Sequence, residues 1–348
     1  AMTKVRRLLR RLSLLFWSVR LVPWCSAYRL HDRSATVVLW VHGRKPDSWL
    51  RSLAHEDTVL MDAGWLRALV RRGVPFRLVL GDSIDRVRDS TVVYTVHPYN
   101  PSGSPIPSDG LRQALATVAG RGNRLVPTLE AARFWENKVY MHERCDAADV
   151  PTPPTRIVRE IAELHYLDLQ PPLMVKDPWS YGSFGIVRVE DRPALEAAVA
   201  AVLSTRTAAI VQEFIDIRAD ARITVAAGRV SHSLLRRNLA DDWSLTLARY
   251  GTVYEFDGVL QRWNDAFVEM ADRLGLATAA FDACWKGDDF TTEPIVLEVS
   301  PAYQLNPEPP EAFRDRPYRD YAATWWGRDA HPARQTALVA RIEGLVLD

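Results

Sequence analysis

The sequence predicts an α/β protein that has a parallel sheet in its N-terminal half and an α+β arrangement in its C-terminal half. Between residues 36 and 128, short β-branched runs alternate with helical patterns. This alternation is typical of a parallel sheet whose faces are covered by helices. Beyond residue 155 the strands follow one another closely, and the connection Ala227-Gly-Arg229 is too short for a crossover helix, so antiparallel pairing is expected.

The N-terminal half contains three predicted strands and two predicted helices. The strands are Thr36–Val41, Phe76–Leu80 and Thr91–Val96, and the helices are Asp57–Arg72, followed by Gly73, and Leu111–Ala119. In sheets of this kind, ligands bind beyond the carboxyl ends of the strands. Five polar residues follow those ends and are candidate substrate contacts, although each is equally explained as a solvated loop residue: His42, Arg44, Asp82, His97 and Asn100.

A proline-rich break, Val150-Pro-Thr-Pro-Pro-Thr155, precedes the C-terminal half. The predicted helices beyond it are Arg192–Leu203 and Asn264–Leu274. The predicted strands are Pro172–Lys176, Ile186–Val189, Ala208–Phe214, Ile223–Ala227, Val230–Arg236, Thr252–Phe256, Ala279–Trp285 and Ile295–Val299.

Composition excludes several classes of protein. Of 348 residues, 47% are hydrophobic and 25% charged, as in soluble globular proteins, and no apolar run reaches the ~18–20 residues of a membrane-spanning helix. The net charge of +1 gives no general attraction to nucleic acid. Cys25, Cys145 and Cys284 lie too far apart in sequence for a disulfide framework or a CxxC-type metal site, so a reducing cytoplasm is the expected location.

Both ends of the chain carry amphipathic helical patterns. Lys4–Val19 has apolar residues at helical spacing, with arginines largely on the opposite side. Docking on the protein itself or on a second subunit is favoured over a membrane-surface helix, and also over a signal peptide, because Arg20 and Pro23 interrupt the apolar stretch. Thr336–Leu347 is the second pattern. A homodimer is the expected assembly if these helices form a seam between subunits.

The segment from Lys176 to Gly185 has the composition of an anion-binding loop. Of 44 basic residues only five are lysines (Lys4, Lys45, Lys138, Lys176 and Lys286), and Lys176 ends a predicted strand. The loop that follows contains Ser180, Gly182, Ser183 and Gly185, and successive backbone N–H groups in such a loop can hold phosphate oxygens. Strands on both sides exclude the GxxxxGK[ST] and GxGxxG motifs, and an ordinary hairpin is the competing interpretation.

Several carboxylates lie within or beside apolar strands. Glu213 ends one strand, and Asp282 and Glu298 lie on two strands that are expected to be neighbours. An acid inside an apolar strand is costly to bury unless it is paired or binds a metal. Two such acids suit Mg²⁺, which takes one or two carboxylates together with phosphate oxygens, and the alternative is a pair of buried acids held by arginines.

In combination, these segments resemble the ATP-grasp superfamily, and within it the carboxylate–amine ligases, a branch that contains glutathione synthetase and the ribosomal-protein glutamate ligase. The resemblance covers roughly 137–301 in matching order and spacing. It implies an ATP-grasp fold with an N-terminal parallel-sheet pre-ATP-grasp domain. The expected divisions are a basic helical segment (1–35), the pre-ATP-grasp domain (36–128), a small ATP-grasp subdomain with the phosphate loop (129–210), and a C-terminal subdomain with the metal site (211–348).

The resemblance also assigns roles to individual residues. Lys138 and Lys176 correspond to the two lysines that bind ATP phosphates, and Asp282, Glu298 and Ser300 correspond to the ligands of two Mg²⁺ ions. Catalytic roles fall on Arg222, Arg237, Arg249 and Lys176, and Arg236 joins the substrate contacts. The remaining ATP contacts are Ser180, Gly182, Ser183, Gly185, Gln212, Glu213, Phe214, Ile215 and Asp220.

Two positions depart from the family pattern. Ser300 stands two residues after Glu298, where the family usually has asparagine, and a hydroxyl has a shorter reach toward Mg²⁺. The stretch 242–249 lacks the Arg-x-Asn of the family, for which Asn306 is a candidate substitute.

The reaction implied by the resemblance joins a small-molecule carboxylate to an amine. ATP would phosphorylate the carboxylate to an acyl phosphate, the amine would displace phosphate, and ADP would be released. Amino acids, peptides and related molecules are the expected substrates. The alternatives are a kinase of the same fold that phosphorylates a hydroxyl and a non-catalytic ATP-binding protein.

Overall fold

The computed structural model describes residues 24–42, 63–96, 107–135, 137–179, 185–238, 252–256, 258–301, 308–314, 316–317 and 320. The predicted terminal helices Lys4–Val19 and Thr336–Leu347 lie outside these residues, as does the first part of the predicted helix Asp57–Arg72. The described chain divides into two compact units. The first contains residues 24–132 and residue 308, and the second contains residues 133–301 and 309–320.

The first unit is built on a four-stranded sheet in which every pairing is parallel, as predicted. Its strands β1 (Val37–Val41), β2 (Arg77–Leu80), β3 (Thr91–Tyr94) and β4 (Arg124–Val126) are arranged in the order β2-β1-β3-β4. β1 is apolar throughout and buried from its second residue onward, because a parallel sheet is covered on both faces. The helices are α1 (Trp24–Leu30), α2 (Ala63–Arg71), α3 (Pro107–Ala119) and, at the boundary of the units, α4 (Leu129–Arg133).

The second unit contains two sheets, of which the smaller is entirely antiparallel. Its strands β5 (Thr155–Val158), β6 (Leu173–Lys176), β7 (Ile186–Val189) and β8 (Ala209–Glu213) are arranged in the order β5-β8-β6-β7. Helix α6 (Arg192–Leu203) begins where Asp191 accepts a hydrogen bond of 2.8 Å from the backbone N–H of Ala194, the side-chain cap that its first turn requires. Its buried Leu195 and Val199 pack into one core with the inner residues of the sheet.

The larger sheet has five antiparallel strands in the order β11-β10-β9-β12-β13. They are β9 (Ala219–Ala226), β10 (Arg229–Arg237), β11 (Val253–Glu255), β12 (Thr278–Cys284) and β13 (Ile295–Ser300). Ala227 and Gly228 both have positive φ (49° and 67°), which the tight two-residue turn between β9 and β10 requires. Helix α7 (Asn264–Arg273) packs on this sheet, with the rings of Phe267 and Phe281 5.4 Å apart, and helix α5 (Lys138–Ala147) contacts β13.

The structure differs from the predicted elements in three strands: β4 and β5 were not predicted, and β9 starts earlier than predicted. The strand begins at Ala219, four residues before the predicted strand at Ile223. The extra residues include Asp220 and Arg222. Because both are charged, the apolar spacing from which strands are predicted did not extend to them. Both side chains find partners of opposite charge on neighbouring strands, so the backbone pairs through this polar stretch. In the described ranges, no helix combines the length and the apolar character that crossing a bilayer would demand.

Candidate active site

Lys138 lies at the first position of α5 and is buried, with 5% of its surface exposed. The helix begins here because the Asn137 side chain accepts a hydrogen bond of 3.2 Å from the backbone N–H of Tyr140. The backbone N–H of Lys138 donates to the carbonyl of Pro178 (2.9 Å), which ties the helix to the turn after β6. Its ammonium group lies 3.5 Å from a carboxylate oxygen of Glu298.

Lys176 ends β6 and is also buried. Its ammonium group donates to Oε1 of Gln212 at 2.5 Å, and Nε2 of Gln212 donates to Oγ1 of Thr155 at 2.8 Å. The three side chains come from adjacent strands, since Thr155 on β5 is directly opposite Gln212 on β8, and β6 pairs with β8. Gln212 is therefore held on both sides of its amide and fixes the position of Lys176.

The two lysines lie close enough to influence one another electrostatically. Burial, together with the charge of Lys138, lowers the pKa of Lys176 to about 8, although the Glu298 carboxylate acts in the opposite direction. Counted over the residues that the structure describes, two ammonium groups and one carboxylate give this region a net positive charge. A buried region with excess positive charge is a suitable environment for an anion.

A third side chain of this region, His142, was not predicted from the sequence. It lies one helical turn after Lys138 on α5 and is 6% exposed. Burial, followed by the charges of Lys176 and Lys138, lowers the pKa of His142 to about 3, so the imidazole is neutral at physiological pH. We call Lys138, His142, Lys176, Gln212 and Glu298 the lysine cluster.

A second group, the arginine network, consists of Asp220, Arg222, Arg236 and Asp282 on one face of the larger sheet. Arg222 binds Asp282 through two hydrogen bonds of 2.8 Å each. Arg236 donates from Nε to Asp220 at 2.9 Å and also forms a second, shorter contact to the same carboxylate. Nη2 of Arg236 is 3.2 Å from Asp282. Two arginines and two carboxylates therefore compensate one another inside the network.

Strand register explains this pairing. Arg236 on β10 is directly opposite Asp220 on β9, and Arg222 on β9 is directly opposite Asp282 on β12. Burial acts to raise the pKa of Asp282, but Arg222 and Arg236 outweigh it and hold that pKa below its usual range. The pKa of Asp220 is raised by burial in spite of Arg236, with the neighbouring Asp282 charge acting in the same direction.

The predicted metal ligands have the donor chemistry of a shared magnesium site. Asp282 and Glu298 are directly opposite each other on β12 and β13, and Ser300 ends β13 opposite Ala280. Asp282 is already bound by two arginines, whereas the Glu298 side chain is 38% exposed beside Lys138. In the part of the chain that the structure describes, no group of three or more His, Cys, Asp or Glu residues is suited to enclose a metal ion. These oxygen donors fit Mg²⁺ that is held jointly with phosphate groups.

The predicted adenine segment runs from the end of β8 into the following turn. Glu213 is exposed, and its backbone N–H donates to the carbonyl of Pro154 (2.9 Å). The guanidinium of Arg188 lies 4.1 Å above the Phe214 ring, so that face of the ring is covered by protein. Phe214 and Ile215 are half-buried.

The described part of the predicted phosphate loop consists of its two ends. Gly185 has φ +68°, a conformation that favours glycine, and its carbonyl accepts a hydrogen bond of 2.7 Å from the backbone N–H of Asp177. The Asp177 carboxylate accepts from the backbone of Trp179 (2.9 Å) and from Arg206 (3.0 Å). Ser180, Gly182 and Ser183 lie outside the described residues.

The remaining predicted residues belong to neither of the two clusters, or they lie outside the described residues. His42 is fully buried in the first unit, where its Nε2 is 2.6 Å from the carbonyl oxygen of Thr95 and its ring packs against Trp40 and Tyr94. Arg237 follows Arg236 but pairs with Glu255 (2.8 Å). Asp82 is exposed in a short 3₁₀ helix. Arg44, His97, Asn100, Arg249 and Asn306 lie outside the described residues.

His142, Thr155 and Tyr254 were not predicted as site residues from the sequence. The spacing of four residues from Lys138 was a usable signal for His142, because residues i and i+4 share a helix face. Tyr254 lies directly opposite Arg236 on β11, and burial raises its pKa. This pairing depends on strand register, which spacing along the chain does not reveal.

Comparisons with known proteins place the architecture. No family model matches the sequence, and no curated protein matches it in a sequence search. Among solved structures, a RimK-domain ATP-grasp protein from Sphaerobacter thermophilus is 18% identical, with a TM-score of 0.54, over 90% of this chain and 100% of that one. A D-alanine–D-alanine ligase from Bacillus anthracis, solved in complex with ATP, is 15% identical (TM-score 0.54; 88% and 97% covered).

A D-cycloserine synthetase is similar to the same extent, with 17% identity and a TM-score of 0.51 over 88% of this chain and 99% of that one. At these identities the likeness is one of fold, and it extends over most of each chain. The mixed sheets described above are in agreement with it: one parallel sheet, then a four-stranded and a five-stranded antiparallel sheet. The chain therefore shares its fold with these solved structures, which are an ATP-grasp protein, a D-alanine–D-alanine ligase and a D-cycloserine synthetase.

Proposed function

We propose that the protein is an ATP-dependent, ADP-forming ligase that joins a small-molecule carboxylate to an amine through an acyl phosphate. The observation that carries the proposal is the lysine cluster, in which two buried ammonium groups from separate elements have an excess of positive charge. This cluster lies in a fold that the Bacillus anthracis ligase uses with ATP bound. An anionic phosphate chain would supply the missing negative charge.

In this proposal the second unit holds the nucleotide. Lys138 and Lys176 bind phosphate oxygens, with Gln212 holding Lys176 in place. The segment 213–215 lines the adenine, and the loop that ends at Gly185 covers the phosphates. The additional contacts proposed for the nucleotide are Ser180, Gly182, Ser183 and Asp220.

The proposed Mg²⁺ would be held by Glu298, Asp282 and Ser300 together with phosphate oxygens. When bound, the ion would neutralise charge on the phosphoryl group during transfer. Asp282 can bind the metal only if it gives up its contacts with Arg222 and Arg236. Glu298 forms one ion pair in the described residues, with Lys138. Glu298 is therefore the proposed principal protein ligand.

In this mechanism the protein forms no covalent intermediate with the substrate. Its side chains stabilise negative charge, and its loop excludes water. Lys138, Lys176 and Arg222 stabilise negative charge on the transferring phosphoryl group, and a closed loop over the phosphates keeps water from the acyl phosphate. Burial raises the pKa of the Cys145 and Cys284 thiols to about 12, so both are protonated and neither is a nucleophile.

The proposed carboxylate-binding residues are arginines at the end of β10 and beyond it. A guanidinium binds a carboxylate through two parallel hydrogen bonds. Arg237 is the better placed of the two on β10, because it is 35% exposed and pairs with a half-exposed Glu255, whereas Arg236 is engaged by two buried carboxylates. Arg249 is the other proposed carboxylate contact. The proposed amine-side residues are His42, Arg44, His97 and Asn100.

The test is release of ADP and phosphate from Mg²⁺-ATP against a panel of carboxylates, with and without a mixed pool of amines. The expected result is ADP release that requires a carboxylate, together with a new amide mass when amine is added. Lys176→Met should abolish the release, whereas Lys286→Met, at an exposed lysine of the same unit, should not. A protein that gains no thermal stability from ATP or ADP would refute the proposal at its first step.

Two observations favour a second candidate, a protein that binds nucleotide without turning it over. Asp282 has both carboxylate oxygens bound by arginine, and Ser300 replaces the usual asparagine. Nucleotide-dependent stabilisation with no ADP release, for every carboxylate and amine in the panel, would favour this candidate over the ligase.

A further inference from the structure

His142 is the one histidine among the described residues whose two ring nitrogens are both buried without a hydrogen-bond partner there. His42 is a useful comparison, because it is also buried but has its Nε2 2.6 Å from the carbonyl oxygen of Thr95. A buried polar atom without a partner costs about 1–3 kcal/mol. A leucine of similar size would avoid this cost if the position served packing alone.

The surroundings of His142 indicate what kind of partner it lacks. Lys138 lies one turn before it on the same helix face, and Lys176 on β6 is near enough for its charge to lower the pKa of His142. Glu298 lies beside Lys138 at 3.5 Å. A neutral imidazole that senses two nearby ammonium groups has one N–H to donate and one lone pair to accept. An anion bound by the lysines could therefore accept a hydrogen bond from this N–H.

A third cation at this position would be unfavourable. The charge of Lys138 already helps to lower the pKa of Lys176 to about 8, and a further positive charge would lower it more. A neutral donor adds a hydrogen bond to an anion without this penalty. This difference distinguishes histidine from lysine or arginine at position 142.

We infer, on the basis of the nucleotide-binding function proposed above, that His142 is a third contact to the phosphate chain. Its N–H donates to a phosphate oxygen of the nucleotide held by Lys138 and Lys176, and its other ring nitrogen accepts from one of the two ammonium groups. Both nitrogens are then satisfied only in the complex. The contribution depends on the phosphate chain, so it is largest for ADP and ATP and small for AMP.

The experiment combines two readouts that move in opposite directions. His142→Leu removes both unpartnered nitrogens, so the free energy of unfolding of the nucleotide-free protein should stay equal or rise in denaturant titrations. The same variant should bind ADP and ATP about tenfold more weakly by calorimetry, with AMP binding changed less than threefold. His142→Gln, which keeps a donor and an acceptor, should recover most of the affinity. His165→Leu, at an exposed histidine of the same unit, is the matched control.

A measurement on the wild-type protein does not depend on how the variants fold. In ¹⁵N spectra of histidine-labelled protein, the ring-nitrogen signals missing from His142→Gln should shift when ADP is added. Unchanged signals, or ADP affinity in His142→Leu equal to that of the wild type, would overturn the inference and leave the proposed function standing. A wild-type protein that binds neither ADP nor ATP would instead refute the proposed function.

Discussion

The lysine cluster and the arginine network are both buried and highly charged, but they differ in how their charges are compensated. In the network, two arginines and two carboxylates meet through paired hydrogen bonds, so its charges are balanced by protein alone. In the cluster, two lysines share one carboxylate and an amide, and His142 has no hydrogen-bond partner among the described residues. A balanced set stabilises the folded chain, whereas an unbalanced one is ready for a ligand.

The largest expected effect comes from breaking the network. Among the described residues, Asp220→Ala leaves the buried Arg236 with only its 3.2 Å contact to Asp282. The variant should lower the free energy of unfolding by about 3–5 kcal/mol. Denaturant titration measures this loss. The double variant Asp220→Leu/Arg236→Met removes both charges and should recover most of it. A loss below about 1 kcal/mol in Asp220→Ala would mean that the network does not stabilise the fold.

Substitution in the lysine cluster should weaken nucleotide binding strongly and change stability little, in contrast to the arginine network. Lys176→Met removes a charge that binds phosphate, and should weaken ATP and ADP binding by about thirtyfold, or about 2 kcal/mol. The free energy of unfolding should change little, because the loss of a buried charge offsets the loss of the hydrogen bond to Gln212. Calorimetry and denaturant titration test the two parts, and Lys286→Met should leave both unchanged. A Lys176→Met variant that is destabilised but binds ATP normally would show that the lysine cluster serves stability and not ligand binding.

The pH dependence of ATP binding should show that the charge of Lys176 in the lysine cluster is used to bind phosphate. The pKa of Lys176 is about 8 in the folded protein against 10.5 for an ordinary lysine. An anionic phosphate favours the protonated form, so ATP binding should take up a proton above pH 8, and affinity should fall by up to about tenfold from pH 8 to pH 9. Calorimetry at pH 9 in two buffers of different ionisation enthalpy measures the uptake, which should disappear in Lys176→Met.

The stability of the nucleotide-free protein should change with pH in the opposite direction to the ATP affinity. Between pH 8 and 10.5 the unfolded chain keeps the proton of Lys176 and the folded chain does not, so this residue should make the free energy of unfolding rise with pH. Stability curves of the wild type that run parallel to those of Lys176→Met across this range would contradict the assignment.

The smallest expected effect is at the neighbouring arginine of β10. Arg237 and Glu255 form a similar paired contact, but their side chains are 35% and 31% exposed, and solvent screens the charges. Glu255→Gln should therefore lower the free energy of unfolding by less than about 1 kcal/mol. An effect as large as that of Asp220→Ala would show that burial does not decide the difference between the two pairs.

The sequence alone determined many of the helices and strands and identified most of the charged residues of the candidate site, because both are local properties. The apolar spacing predicts α6 (Arg192–Leu203) and β7 (Ile186–Val189) with the observed bounds, and the short connection at Ala227 and Gly228 predicts the antiparallel hairpin. Lys138 and Lys176 stood out as two of very few lysines, each at the edge of a motif.

Only the tertiary structure decided which charges meet. Arg222 and Asp282 are 60 residues apart in sequence and pair because β9 and β12 are adjacent in one register. Gln212, predicted to line the adenine, holds Lys176 because β8 lies beside β6. His142 acquires its electrostatic environment only when folding brings Lys176 of β6 near α5, which carries Lys138. Strand order and register are set by the packing of the whole core, and a charge is compensated or left for a ligand according to the neighbours that this packing supplies.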